Sequence, residues 1–190
     1  MPARHLASVG EGLKVVENSS ICVDCGLCCD GVLYDHAKVA PGEEERMVAA
    51  GLEVFDQGSD RVFRQPCPHS SCGGCTIYET RFQICHSFEC KLLRSVKGGE
   101  CSSVEAHEKI AAAKRLLDKV VTTDPQARSA GGRQKLRSCL AEMLRDPLAV
   151  ADGTPARRLL AIVALDSFLK RWFRLAHEKP PKSNAPVNAP

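Results

Sequence analysis

Cysteine carries the chemistry that this chain can do. Nine of its eleven cysteines lie between Cys22 and Cys90, and four of them, Cys22, Cys25, Cys28 and Cys29, fall in one eight-residue run. Thiolate is a soft donor that suits zinc and iron–sulfur clusters, and the bound cation lowers the pKa of the thiol that ligates it. A two-residue interval lets both sulfurs turn toward one ion. Repeated at once, as in Cys22, Cys25 and Cys28, it is the bacterial ferredoxin spacing for three ligands of a [4Fe–4S] cluster, whose remote fourth ligand precedes a proline; Cys67 precedes Pro68. Cys29 is harder to place on the same tetrahedral ion, because successive side chains leave an extended backbone on opposite sides. The spacing therefore predicts a second site for Cys29, or a free thiol. With Cys67, Cys75, Cys85 and Cys90 the candidate metal ligands number eight, enough for two four-cysteine sites or for one cluster and one zinc.

The neighbours of these thiols are weighed differently. Cys72 stands at ligand spacing from Cys75, but Gly73 and Gly74 between them could serve a turn alone. His69 and His86 are candidates to replace a thiolate at zinc, although histidines beside a site more often support it than ligate. Cys101 and Cys139 stand apart from the cluster and read as ordinary buried or free cysteines.

The order Cys22, Cys25, Cys28, Cys29, then Cys67-Pro68, then Cys75-Thr76-Ile77-Tyr78-Glu79-Thr80-Arg81 and Cys85 resembles the CxxCxxCC, or YkgJ-like, family of cysteine-cluster proteins, described as zinc- or iron-chelating. The resemblance covers about residues 20–92 and implies a metal role for those seven cysteines; Cys90 matches a frequent additional one. Arg81, which would offset thiolate charge, and Tyr78, whose ring would exclude water, are candidates to support the site, with packing and surface charge as the equal alternative. The family pattern usually has Pro after that Arg, where this chain has Phe82, which puts the local turn in question. Some proteins with a similar pattern are described as flagellin lysine N-methylases.

Short elements must position the thiols. Leu13–Val16 and Gly31–Tyr34 read as short strands, Pro41–Gly51 as a helix with acids in its first turn and glycine at its end, and Val54–Asp56 with Arg61–Arg64 as a hairpin. The glycines of the second cysteine region permit a tight, partly left-handed backbone. Long amphipathic helices follow. Ser102 and Glu105 form a capping box, with Val104, Ile110, Leu116, Leu117 and Val120 behind it at roughly helical spacing. A shorter helix is expected over Arg133–Arg145, and a last one opens at Thr154-Pro155 and runs to about His177. The expected fold is α+β: a small irregular cysteine-rich metal-binding domain (1–100), a C-terminal helical segment (101–178) and a disordered tail (179–190).

Length makes an ordinary apolar core feasible, so disulfides are not needed to hold the chain together. No signal peptide is readable at the N-terminus, and the apolar stretch Leu159–Leu165 is far short of a membrane span. The expected location is cytoplasmic, where clustered thiols are more often ligands than disulfides. Residues 1–90 carry 7 Lys/Arg against 13 Asp/Glu, and residues 91–190 carry 19 against 10, so an acidic cysteine-rich half precedes a basic helical one.

Three functions compete. The first is a metal-binding protein holding an iron–sulfur cluster, [4Fe–4S] by the spacing, or Zn2+, with helices that present it to a protein partner. The second is an enzyme, either a cluster-dependent redox enzyme or one similar to the protein lysine N-methylases. No glycine-rich cofactor turn, Ser-His-Asp set or P-loop supports it. The third is an adaptor that binds an acidic partner through Arg157, Arg158, Lys170, Arg171 and Arg174. Few aromatics lie among these to stack on bases, which disfavours nucleic acid.

Overall fold

Two apolar clusters, one helical and one built on a sheet, stand on either side of the cysteines. In the computed structural model residues 19–71, 74–123 and 156–175 are described. The expected strand at Leu13–Val16, the helix at 133–145, the start at Thr154-Pro155, the tail, Cys72 and Cys139 lie outside these residues.

The fold mixes helix and strand, as an α+β class requires, and carries a C-terminal helix. Helix α1 (Ser19–Cys25) is followed by strand β1 (His36–Lys38), helix α2 (Glu44–Ala49), and the hairpin β2 (Val54–Gln57) and β3 (Asp60–Arg64). The three strands form an antiparallel sheet in the order β1-β3-β2, with Val54 and Ala37 both opposite Phe63. Gln57 pairs with Asp60, which leaves Gly58 and Ser59 as the two-residue turn expected of a tight hairpin. Helix α2 also occurs as expected, with Glu44 and Glu45 in its first turn and Gly51 beyond its end. Met47, Leu52, Phe63 and Phe82 are buried together as the sheet-side cluster.

Gly31–Tyr34 is not a strand. The amides of Val32 and Leu33 both donate to Leu27 O, at 3.2 Å each, and close a turn that buries both side chains where a half-buried strand would alternate them.

The helical cluster rests on α5 (Ser103–Thr123) and α6 (Ala156–Trp172). The capping box forms as the sequence predicts: Ser102 Oγ accepts from Glu105 N at 3.2 Å, and Glu105 Oε2 accepts from Ser102 N at 2.8 Å. The buried stripe of α5 is Ala106, Ile110, Ala113 and Val120. Val104 is 70% exposed, because two residues before Ala106 a helix faces almost the opposite way. The small Ala106 and Ala113 let α6 approach with Ile162, Leu165, Leu169 and Phe173, all essentially buried. Helix α6 ends at Trp172, earlier than expected, where Phe173 O accepts instead from Lys91 N at 3.0 Å. Ile21, Leu27, Val32, Leu33 and Leu92 from the cysteine-rich segment complete this cluster.

Candidate metal centre

Helical spacing puts Cys22 and Cys25 on one face of α1. Gly26, at φ 68°, ends the helix in a left-handed turn that residues with a Cβ adopt at a cost. The chain stays curled beyond it, with Asp30 N donating to Gly26 O at 2.9 Å and Gly31 N to Cys28 O at 3.2 Å. Cys28 and Cys29 sit in this curl, and their Sγ atoms are 3.7 Å apart. The expectation that these two side chains diverge assumed an extended backbone; the turn brings them into contact instead.

The second cysteine region is tied to the first by its backbone. Cys67 N donates to Cys29 O at 2.8 Å, and Ser70 Oγ to Asp30 Oδ1 at 2.8 Å. A small hairpin, β4 (Ser70–Ser71) with β5 (Gly74–Cys75), then sets Cys75 opposite Ser70. After the 3₁₀ turn Tyr78–Thr80, Cys85 lies on the short helix α3 (Gln83–Ser87). Two contacts fix α3. Phe82, its N-cap, is 2% exposed in the sheet-side cluster, and Glu43 Oε2 accepts from Gln83 N at 2.8 Å. Phe82 has φ −69°, within the range a proline would impose, so the turn keeps its shape without one. Cys90 is the N-cap of α4 (Lys91–Lys97), where its Sγ accepts from Leu93 N at 3.5 Å.

Seven of the eight cysteines predicted as ligands, Cys22, Cys25, Cys28, Cys29, Cys67, Cys75 and Cys85, line one open cavity of 1420 Å³. Cys90 adjoins it through Cys22, Cys25 and the cavity-lining Leu93. All eight are free thiols. They ring the space rather than close on a point. Among the described residues no three His, Cys, Asp or Glu side chains are gathered tightly enough to enclose an ion as they stand.

Crowding the thiols into a partly dry space sets their electrostatics. Burial pushes Cys25 up to about 12, with Cys90 and Cys22 adding to it. Desolvation of its sulfur likewise takes Cys85 to about 12, although the residue as a whole is exposed, and Cys29, Cys67 and Cys75 add to the shift. Cys22, Cys67 and Cys90 are raised for the same first reason, and at Cys90 the amides of Leu93 and Leu92 pull the other way. The contact between Cys28 and Cys29 sets them apart, raising the pKa of Cys28 and lowering that of Cys29.

Arg81 and Tyr78 stand together beside the thiols. The guanidinium stacks 3.9 Å from the Tyr78 ring centroid and donates to Tyr78 O at 2.9 Å, and both residues line the cavity. The positive charges of Arg81 and Lys97 favour the Cys22 thiolate, and that of Lys114 the Cys25 thiolate. Lys97 and Lys114 were missed from sequence, since only tertiary packing brings α4 and α5 to the thiols. Gln65 was also missed. It lines the cavity, 8% exposed, and its Oε1 has no hydrogen-bond partner among the described residues. His69 has both ring nitrogens engaged away from the thiols, Nε2 to Ala50 O at 2.9 Å and Nδ1 to Thr76 Oγ1 at 3.3 Å, so it clamps the hairpin to α2. His86 lies exposed at the cavity edge. Cys101 packs on the helical cluster with Lys109 Nζ 3.6 Å from its sulfur.

Comparison with family models, with curated proteins and with solved structures finds no match to this chain.

Proposed function

We propose that the chain is a metal-binding protein that holds an iron–sulfur cluster or zinc through clustered cysteine thiolates. One observation carries this reading: thiols from separate stretches of the chain, on α1, its following turn, β5 and α3, line one cavity in company with basic side chains. The donor set is sulfur throughout, which suits zinc and iron–sulfur clusters and not the hard cations that oxygen selects. Cysteine turns about a single χ1, so each sulfur in the ring can be redirected without moving the backbone. Arg81, Lys97 and Lys114 would offset the negative charge that several thiolates bring. The sequence resemblance to the CxxCxxCC proteins points the same way. Bound there, the metal would hold α1, the small hairpin and α3 together, since a structural site with four thiolates contributes directly to folding.

The adaptor alternative is weaker. Lys170 and Arg174 pair with the buried Asp166 at 2.6 and 2.5 Å, and Arg171 stacks 5.0 Å from the Trp172 ring centroid, so these cations have partners within the fold. Nothing in the cavity favours methyl transfer or substrate oxidation over metal holding.

Anaerobic purification of the full chain with analysis of iron, zinc and acid-labile sulfide tests the proposal. A brown protein with iron and sulfide selects the cluster, and a colourless one with stoichiometric zinc selects the zinc site. Protein that holds neither, and takes up neither after reduction and reconstitution, refutes the reading.

A further inference from the structure

Eight thiols are twice what one four-ligand site uses, and the fold sorts them. Cys25, Cys28 and Cys90 pack against the helical cluster of α1, α5 and α6. Cys22 belongs with them, because it lies on the same helix face as Cys25. None of Cys29, Cys67, Cys75 and Cys85 packs on that cluster. They form a neighbourhood of their own. The backbone bond from Cys67 N to Cys29 O fixes the first pair, Ser70 N donates to Cys67 O at 3.0 Å while Ser70 pairs with Cys75, and Cys85 follows Phe82 and Ile84 of the sheet-side cluster on α3.

We propose that the chain builds two adjoining four-cysteine centres, one from Cys22, Cys25, Cys28 and Cys90 and the other from Cys29, Cys67, Cys75 and Cys85, which meet where Cys28 touches Cys29. This inference rests on the metal-binding reading and adds the number of sites and the ligands of each. The doubled cysteine is then the boundary between centres, each neighbour serving a different one. A single centre that uses both Cys28 and Cys29 is the competing arrangement, because two sulfurs on one tetrahedral zinc stand about 3.8 Å apart at a Zn–S length of about 2.3 Å. The remaining thiols argue against it. Cys25, Cys28 and Cys90 pack on the helical cluster, whereas Cys75 and Cys85 stand on segments whose Ile77, Phe82 and Ile84 belong to the sheet-side cluster.

The test is titration of the reduced, metal-free full chain with Co2+ under anaerobic conditions, following the thiolate-to-cobalt charge-transfer absorption. The expected endpoint is two Co2+ per chain. An endpoint of one overturns the two-centre inference while leaving the metal-binding reading intact, and absence of the charge-transfer bands overturns both. The variants Cys90→Ser and Cys85→Ser, each with one equivalent of Co2+, are then alkylated with iodoacetamide and mapped by peptide mass. In Cys90→Ser, protection of Cys29, Cys67, Cys75 and Cys85 is expected, with Cys22, Cys25 and Cys28 modified. In Cys85→Ser, Cys22, Cys25, Cys28 and Cys90 are protected and Cys29, Cys67 and Cys75 are modified. Protection of Cys28 and Cys29 together in either variant, or two variants that each bind no Co2+ while the parent binds two, overturns the partition. If a variant does not fold, the parent's endpoint and the other variant decide.

Discussion

Gly74 holds Cys75 in place through a backbone that other residues resist. Its φ is 106°, and a Cβ there would stand 3.1 Å from Val23 Cγ1 and 3.5 Å from Val23 O, on the helix that carries Cys22 and Cys25. Gly74→Ala is therefore expected to cost about 1–3 kcal/mol in unfolding free energy, and to lower metal content because the hairpin and α1 must separate. Gly58, at φ 63° with nothing within 4 Å of its Cβ position, is the control. Gly58→Ala carries backbone strain alone and should leave metal content unchanged. Denaturant unfolding with metal analysis of both variants checks this, and equal metal loss in the two would refute the role given to the Val23 contact. The sequence shows at this scale which residue types gather: the thiols, the glycine turn, and the Arg81–Tyr78 pair all lie together. It does not show orientation. The extended backbone assumed at Cys28 and Cys29 is absent because sequence gives no sign that the chain stays curled after Gly26, and the clamp at His69 depends on Ala50, nineteen residues away.

The first long helix is pinned to the cysteine-bearing one by a charge. His107 on α5 has Nδ1 2.8 Å from Ser103 O and Nε2 3.0 Å from Asp24 Oδ2, and Lys114 Nζ donates to Asp24 O at 2.5 Å. The bond to Ser103 O raises the His107 pKa above its ordinary value, and Asp24 adds to the shift. A pKa raised in the folded state means that the contribution is fully present below the unfolded value of about 6.5 and is lost as pH rises through the folded one. His107→Gln should thus lower stability at pH 6 by less than about 1 kcal/mol, since the pair is solvated, and the difference should shrink toward zero by pH 9. Urea unfolding of both proteins at the two pH values measures it, and a deficit that is constant or grows with pH excludes the charged pin. Elements with strong local signals were legible: α2 by its acids and glycine, the β2–β3 hairpin by its turn, α5 by its capping box. Helices α1 and α4 carry seven residues each, too few for a periodic stripe to show. The end of α6 is set by Lys91, across the fold, which no local pattern near Trp172 reveals.

At the scale of the molecule the thiol-lined cavity is walled by residues of both cores, Tyr34 on the helical side and Phe63 and Phe82 on the sheet side. Phe173, Leu169 and Ile110 stand in one, and Met47, Phe63 and Phe82 in the other. Among the described residues, direct ties between the two sides include the polar pairs Ser70 to Asp30 and Cys67 N to Cys29 O. A structural four-thiolate zinc contributes on the order of 10 kcal/mol, comparable with the whole stability of an ordinary domain at about 5–15 kcal/mol. Metal bound among these thiols would therefore decide whether the sheet-side core stays attached. Removing it with a strong chelator under reducing conditions is expected to expose residues 20–92 to protease within the time that the metal-loaded chain resists. The α5–α6 pair buries Ile162, Leu165, Leu169 and Phe173 against Ala106, Ile110 and Ala113, a contact between the two helices themselves, so its fragments should be the last to be cut. Limited proteolysis with mass mapping, alongside far-ultraviolet circular dichroism, reads both effects. If chelation strips the metal but leaves the cleavage pattern and the spectrum unchanged, the two cores hold together unaided, and the metal would have to be kept for its own chemistry rather than for the fold.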